Sequence, residues 1–141
     1  MVNNLALRLL AYTPRPDPIP AGDAWRKLNG PLYDLSEVKQ LAVPGNIVAI
    51  NDDCELDIAL LKWEIDDTAR LIECLDAGHY DNSLWCNTSV NMWVDCDAYA
   101  IRFDTKGFVE SLTGTNLYVK FGFRPNLTVV LLLSCHPAAF T

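Results

Sequence analysis

The stretch "TNLYVKFGFRPNLTVVLLLSCH" (Thr115 to His136) carries three side chains able to move protons or hold negative charge. These are Tyr118, Lys120 and His136. Leu117, Val119, Phe121 and Phe123 alternate with Tyr118, Lys120 and Gly122, the pattern of a strand with one buried face. Tyr118 and Lys120 then share the other face. Beyond Pro125 and Asn126 the almost wholly apolar run Leu127 to Leu133 predicts a partner strand, which ends on Cys135-His136. Three such groups on one sheet face suit RNA cleavage by 2′-hydroxyl attack. That reaction needs a base, an acid for the leaving oxygen and positive charge on the phosphorane. A tyrosine can position or donate a proton, a lysine can stabilise the developing charge, and a histidine ordinarily titrates near neutrality. Each also has an ordinary surface role: tyrosine as cross-strand packing, lysine as a solvated charge, histidine as an exposed strand end.

Other candidates are fewer. Asp95 and Asp97 lie two apart on one side of a strand, a spacing open to a carboxylate pair for metal or acid–base work. The plainer reading makes Asp95 structural and Asp97 solvated. His79, Cys86, Asp95 and Cys96 are metal-ligating types without metal-site spacing. The five cysteines (Cys54, Cys74, Cys86, Cys96, Cys135) are odd in number and form no C-x-x-C, so they read as free, small hydrophobes in a reducing compartment. Trp25, Trp63, Trp85 and Trp93 read as core or arm-packing residues.

The elements that must position these residues can be read in order. Residues 3–11 are apolar and helix-prone. "TPRPDPIP" (Thr13 to Pro20) holds four prolines and predicts an extended, polyproline-like arm. "YDLSEVKQLAVPGN" predicts a helix capped by Asp34 or Ser36, with Leu35, Val38 and Leu41 on one face and a stop at Pro44-Gly45. "NIVAIN" (Asn46 to Asn51) predicts a short strand. Asn51 or Asp52 caps a second helix to about Trp63, with Leu56, Ala59 and Leu60 inward. Asp66 caps a third, "DDTARLIECLDAGH", with Ala69, Ile72 and Leu75 on its core face and Gly78 as its stop. After Gly78, alternation from Met92 through Phe103 predicts one or two strands with a turn near Asn87 to Asn91. Helices first and strands second argue α+β: short helices packed on one face of a small antiparallel sheet of three to five strands. Residues 1–32 form an N-terminal helix and proline-rich arm, and residues 33–141 a single α+β domain.

At 141 residues, half of them apolar, the chain is long enough for one domain with a real core. The longest apolar run is well short of the roughly 20 residues that span a bilayer. The start "MVNNLALRLLAY" has no basic leading segment, so the reading is a soluble, cytoplasmic protein with no membrane association. The net charge is −7. Ten acids (Asp52, Asp53, Glu55, Asp57, Glu64, Asp66, Asp67, Glu73, Asp76, Asp81) face only Lys62 and Arg70 between residues 51 and 81. Such a segment is a solvated helix face or a surface for a basic partner. It excludes strong nonspecific nucleic-acid binding, which rests on Lys and Arg neutralising phosphates.

Four stretches, in order, resemble the MqsR toxins, small bacterial ribonucleases of RelE-like fold that cut mRNA and pair with an antitoxin. They are "LSEVKQLAVPGNIVAI", "IDDTARLIECLDAGHYDNS", "MWVD" and "LYVKFGFRPNLTVVLLLSCH". The resemblance spans roughly residues 33–136 and leaves out the arm. It implies a RelE-like fold, metal-independent endoribonuclease chemistry without a cofactor, an RNA substrate and an antitoxin partner. The family's tyrosine in its Y-[LV]-K strand matches Tyr118. Its glutamine in the W-Q-D element falls on Val94, its lysine after the third helix near Asp81, and its closing lysine near His136. The resemblance therefore implies an altered site of Tyr118, Lys120 and His136. The competing expectation is a non-catalytic binding protein on a toxin-like scaffold, its acidic face meeting a protein partner and its N-terminal arm building a homo-oligomer. A third is a small-molecule pocket near Trp85, Trp93 and Tyr118.

Overall fold

Period-two alternation in the second half of the chain builds one curled sheet, and the first half supplies the helices that cover it. The structure, a computed structural model, describes residues 24–26, 30–87, 93–123 and 128–138. The strands are β1 (Ala24–Arg26), β2 (Ile47–Ala49), β3 (Tyr80–Asn87), β4 (Trp93–Asp104), β5 (Val109–Glu110), β6 (Thr115–Gly122) and β7 (Val130–Pro137). The helices are α1 (Leu35–Leu41), α2 (Asp52–Leu60) and α3 (Thr68–Glu73). The sheet order is β1-β3-β4-β6-β7-β2, with β5 paired to β4. The fold is α+β, as expected, but the sheet is larger than expected and mixed. β2 joins β7 in parallel, Ile47 beside Val130 and Ala49 beside Leu132. A parallel pair needs a long crossover, and here it is most of the domain, so chain order alone did not reveal it. The helix expected at residues 3–11, the arm expected at 13–20 and, beyond Asn87, the turn expected near Asn87 to Asn91 lie outside the described residues. The 32/33 boundary falls within the packed region, for Leu32 and Tyr33 are both core residues.

On the helix-covered face Tyr99, Ile101 and Phe103 of β4 and Leu117, Val119 and Phe121 of β6 are buried with Val38, Ile58, Leu71, Ile72 and Leu75. The reverse face holds a smaller cluster of Cys86, Val94, Cys96, Leu131 and Leu133. β7 is therefore buried on both faces along Val130–Leu133, which explains its unbroken apolar run. Gly122 permits the close approach of β4 to β6. A Cβ there would lie 2.5 Å from the Asp95 carbonyl and 2.6 Å from Val94 Cγ1.

The local signals held unevenly. Asp34 caps α1 through Ser36 N at 3.0 Å, and Gly45, at φ 86°, turns the chain after it. In α2 the inward residues are Cys54 and Ile58, not Leu56, Ala59 and Leu60: Leu56 is 62% and Leu60 72% exposed, and Ala59 is exposed too. The helix ends at Leu60, and Lys62 (φ 67°) turns the chain so that Trp63, rather than extending the helix, stacks on Phe108 at 5.3 Å. The third helix is also shorter than expected. A 3-10 turn at Ile65–Asp67 precedes α3, and the helix ends at Glu73, before Gly78. Asp66 does not cap it but accepts from Gly45 N at 3.0 Å. Ala69, Ile72 and Leu75 are buried as expected.

Candidate functional site

Tyr118 and His136 stand directly opposite each other across β6 and β7. Their ring centroids are 5.5 Å apart and their planes differ by 32°. Both are half-buried. Lys120 lies one strand period further along the same face, opposite Ser134 on β7 and Ala98 on β4. Ala98 and Ala100, the β4 partners of Lys120 and Tyr118, are small and leave the two longer side chains room above the sheet. His136 Nδ1 is 2.8 Å from the Pro137 carbonyl. A carbonyl only accepts, so Nδ1 carries the hydrogen and the basic atom of the neutral ring is Nε2.

Lys120 is drawn towards the buried end of this face. Its cross-strand partner Ala98 is two residues from Cys96, and the partner of Cys86, Val94, is two residues beyond. Lys120, Cys96 and Cys86 thus follow one diagonal over three strands. Both the Cys96 thiol and the Lys120 ammonium act on the Cys86 thiol. Cys96 is the larger cause holding the Cys86 thiol below its ordinary range, with the lysine charge adding to it against the opposing effect of burial. Cys96 shifts the other way, because it is buried and sits beside the Cys86 sulfur. Its thiol donates to the Val94 carbonyl at 3.5 Å.

The carboxylates behave otherwise than expected. Asp97 is fully buried rather than solvated. Its Oδ1 accepts from Leu32 N at 2.9 Å and Ser83 Oγ at 2.7 Å, and its Oδ2 accepts from Leu32 N and Tyr33 N, both at 3.0 Å. Asp95 accepts from the Tyr33 hydroxyl at 3.0 Å, while its backbone carbonyl accepts from the same hydroxyl at 2.7 Å. Burial, then the Asp95 charge, pushes the Tyr33 hydroxyl far above its usual range, so it stays a donor. The two aspartates pin the chain before α1 to the sheet. That is a structural job for both.

His79 is committed elsewhere. Asp76 N donates to its Nδ1 at 2.9 Å, so Nε2 carries the hydrogen and donates to Glu110 Oε2 at 2.8 Å, tying the turn after α3 to β5. Among the described residues no three His, Cys, Asp or Glu side chains gather as metal ligands. No helix of the described residues is long and apolar enough to cross a membrane. Trp63 and Trp85 are buried and Trp93 is half-buried.

Two polar neighbours of the trio escaped the sequence reading. Arg102 and Asn116 pair across β4 and β6 on the Tyr118 face, with Arg102 exposed and its Nη1 3.3 Å from the Gly114 carbonyl. The alternation of "AYAIRFD" already places Arg102 on the side of Ala98 and Ala100. Compared with known proteins, the chain matches no described family, no curated protein and no solved structure.

Proposed function

We propose that this chain is a divergent MqsR-like protein acting as a metal-independent endoribonuclease through Tyr118, Lys120 and His136. One observation carries the reading: Tyr118 and His136 oppose each other directly on a half-buried sheet face that also bears Lys120. His136 Nε2 takes the 2′-hydroxyl proton as that oxygen attacks the adjacent phosphorus. The 5′-oxygen leaves with a proton from Tyr118 or the imidazolium, and a 2′,3′-cyclic phosphate remains. Lys120, with Arg102 along the face, balances the charge that builds on the phosphorane. Antitoxin pairing, as in the family it resembles, belongs to the same proposal.

One observation favours a second reading, a non-catalytic binding protein on this scaffold. Along the sheet diagonal Lys120 leads to Cys96 and Cys86, away from the Tyr118–His136 pair, and its charge acts on the Cys86 thiol. Purified protein on a mixed mRNA pool separates the two. Cleavage that falls by at least about 100-fold in both Tyr118→Phe and His136→Ala is the expected result, the size of one acid–base contribution. Folded wild-type protein that leaves the pool intact refutes the nuclease and leaves the binding protein.

A further inference from the structure

Among the described residues β2 is the last strand of the sheet order and pairs on one side only, with β7. Asn46 O accepts from Val130 N and Ile50 N donates to Leu132 O, both at 3.0 Å. In a parallel ladder alternate residues bond to the same neighbour, so Val48 turns its amide groups to β7, while those of Ile47 and Ala49 point to the open side. Along that side runs a groove of about 430 Å³. Its apolar lining includes Ile58 and Trp63, and Glu55 and Glu64 stand at its rim. Both glutamates are exposed, as are Asp52 and Asp53 on the first turn of α2. Val48, in the lining, is itself 47% exposed. Natural proteins blunt or cover sheet edges; among the described residues this one combines an unpaired edge, an apolar trough and flanking acids.

We infer that the β2 edge is a docking site for an extended, basic segment of a partner protein, added as a further strand. The backbone amides of Ile47 and Ala49 supply the ladder. Every second side chain of the incoming strand enters the groove, and that side must be apolar. The residues between carry lysine or arginine to Glu55, Glu64 and the Asp52-Asp53 turn. Charge complementarity selects the occupant: an acidic strand would meet like charge along its whole length. The site lies apart from the Tyr118 face and stands whether or not that face cleaves RNA.

The test is fluorescence anisotropy of the full chain with a labelled eight-residue peptide alternating lysine and valine. Saturable binding is expected that weakens at least tenfold for the Glu55→Lys/Glu64→Lys variant, whose thermal midpoint stays within a few degrees of wild type. It should weaken similarly for a peptide N-methylated at alternate amides, which keeps its charge but cannot form the ladder. No binding by the wild type overturns the proposal. So does equal binding of the N-methylated peptide, which would reduce the effect to charge attraction. Dimerisation of the free chain that the same charge reversal abolishes also overturns it, since a second copy would then own the edge.

Discussion

Removing the Asp97 carboxylate should be the most damaging single change in this domain. In Asp97→Ala, Leu32 N–H and Tyr33 N–H lose acceptors at 2.9 to 3.0 Å in a fully buried position. Ser83 loses one at 2.7 Å but can turn to the Tyr80 hydroxyl, 2.6 Å away. Backbone donors cannot be substituted away, so two buried amides stay unsatisfied at about 1–3 kcal/mol each. The expected loss is about 2–6 kcal/mol, a large share of a typical stability of about 5–15 kcal/mol. Asp97→Asn keeps the shape and one acceptor but aims an NH₂ at an amide hydrogen, so an intermediate loss is expected. Urea unfolding followed by tryptophan fluorescence measures both. A loss below about 1 kcal/mol for Asp97→Ala, with an unchanged denaturant slope, would refute the reasoning, because it would mean the amides find other partners.

Ile58→Ala should cost about 2–5 kcal/mol by leaving a core void, whereas Leu60→Ala should stay within about 0.5 kcal/mol; paired denaturation curves test the reassigned face of α2. Gly122→Ala forces a Cβ to 2.5 Å from the Asp95 carbonyl, so a loss of about 1–3 kcal/mol is expected, and a neutral result would show that β4 and β6 can part freely. Asp104 accepts from Gly107 N and Lys106 N, both at 3.0 Å, and these bonds hold its carboxyl below the usual range. A lowered carboxylate stabilises the 104–107 turn above the unfolded value of about 3.9, and that contribution is lost as pH falls through the folded value. A carboxyl NMR titration with a midpoint at or above about 3.9 would contradict it.

Much of the chain is legible because it depends on local chemistry. Alternation set the strands and placed Tyr118 with Lys120 on one face, a consequence of where successive Cβ atoms point. Asp34, the Pro44-Gly45 stop and the buried trio Ala69, Ile72 and Leu75 followed from capping, φ and helical period. What sequence alone could not supply were the choices made by partners distant in the chain. Leu56 and Leu60 look as apolar as Ile58, and only the position of β7 decided which of them turns inward. Asp97 looks solvated until the amides of Leu32 and Tyr33, 65 and 64 residues earlier, are brought to it. Asp66 could have capped a helix, but Gly45 N was nearer. That Tyr118 faces His136, that Lys120 shares a sheet diagonal with Cys96 and Cys86, and that Ile47–Ala49 lies parallel to β7 at the edge of the described sheet are matters of register and crossover. Register is fixed by burying one whole face at once, which is a property of the assembled sheet and not of any one strand.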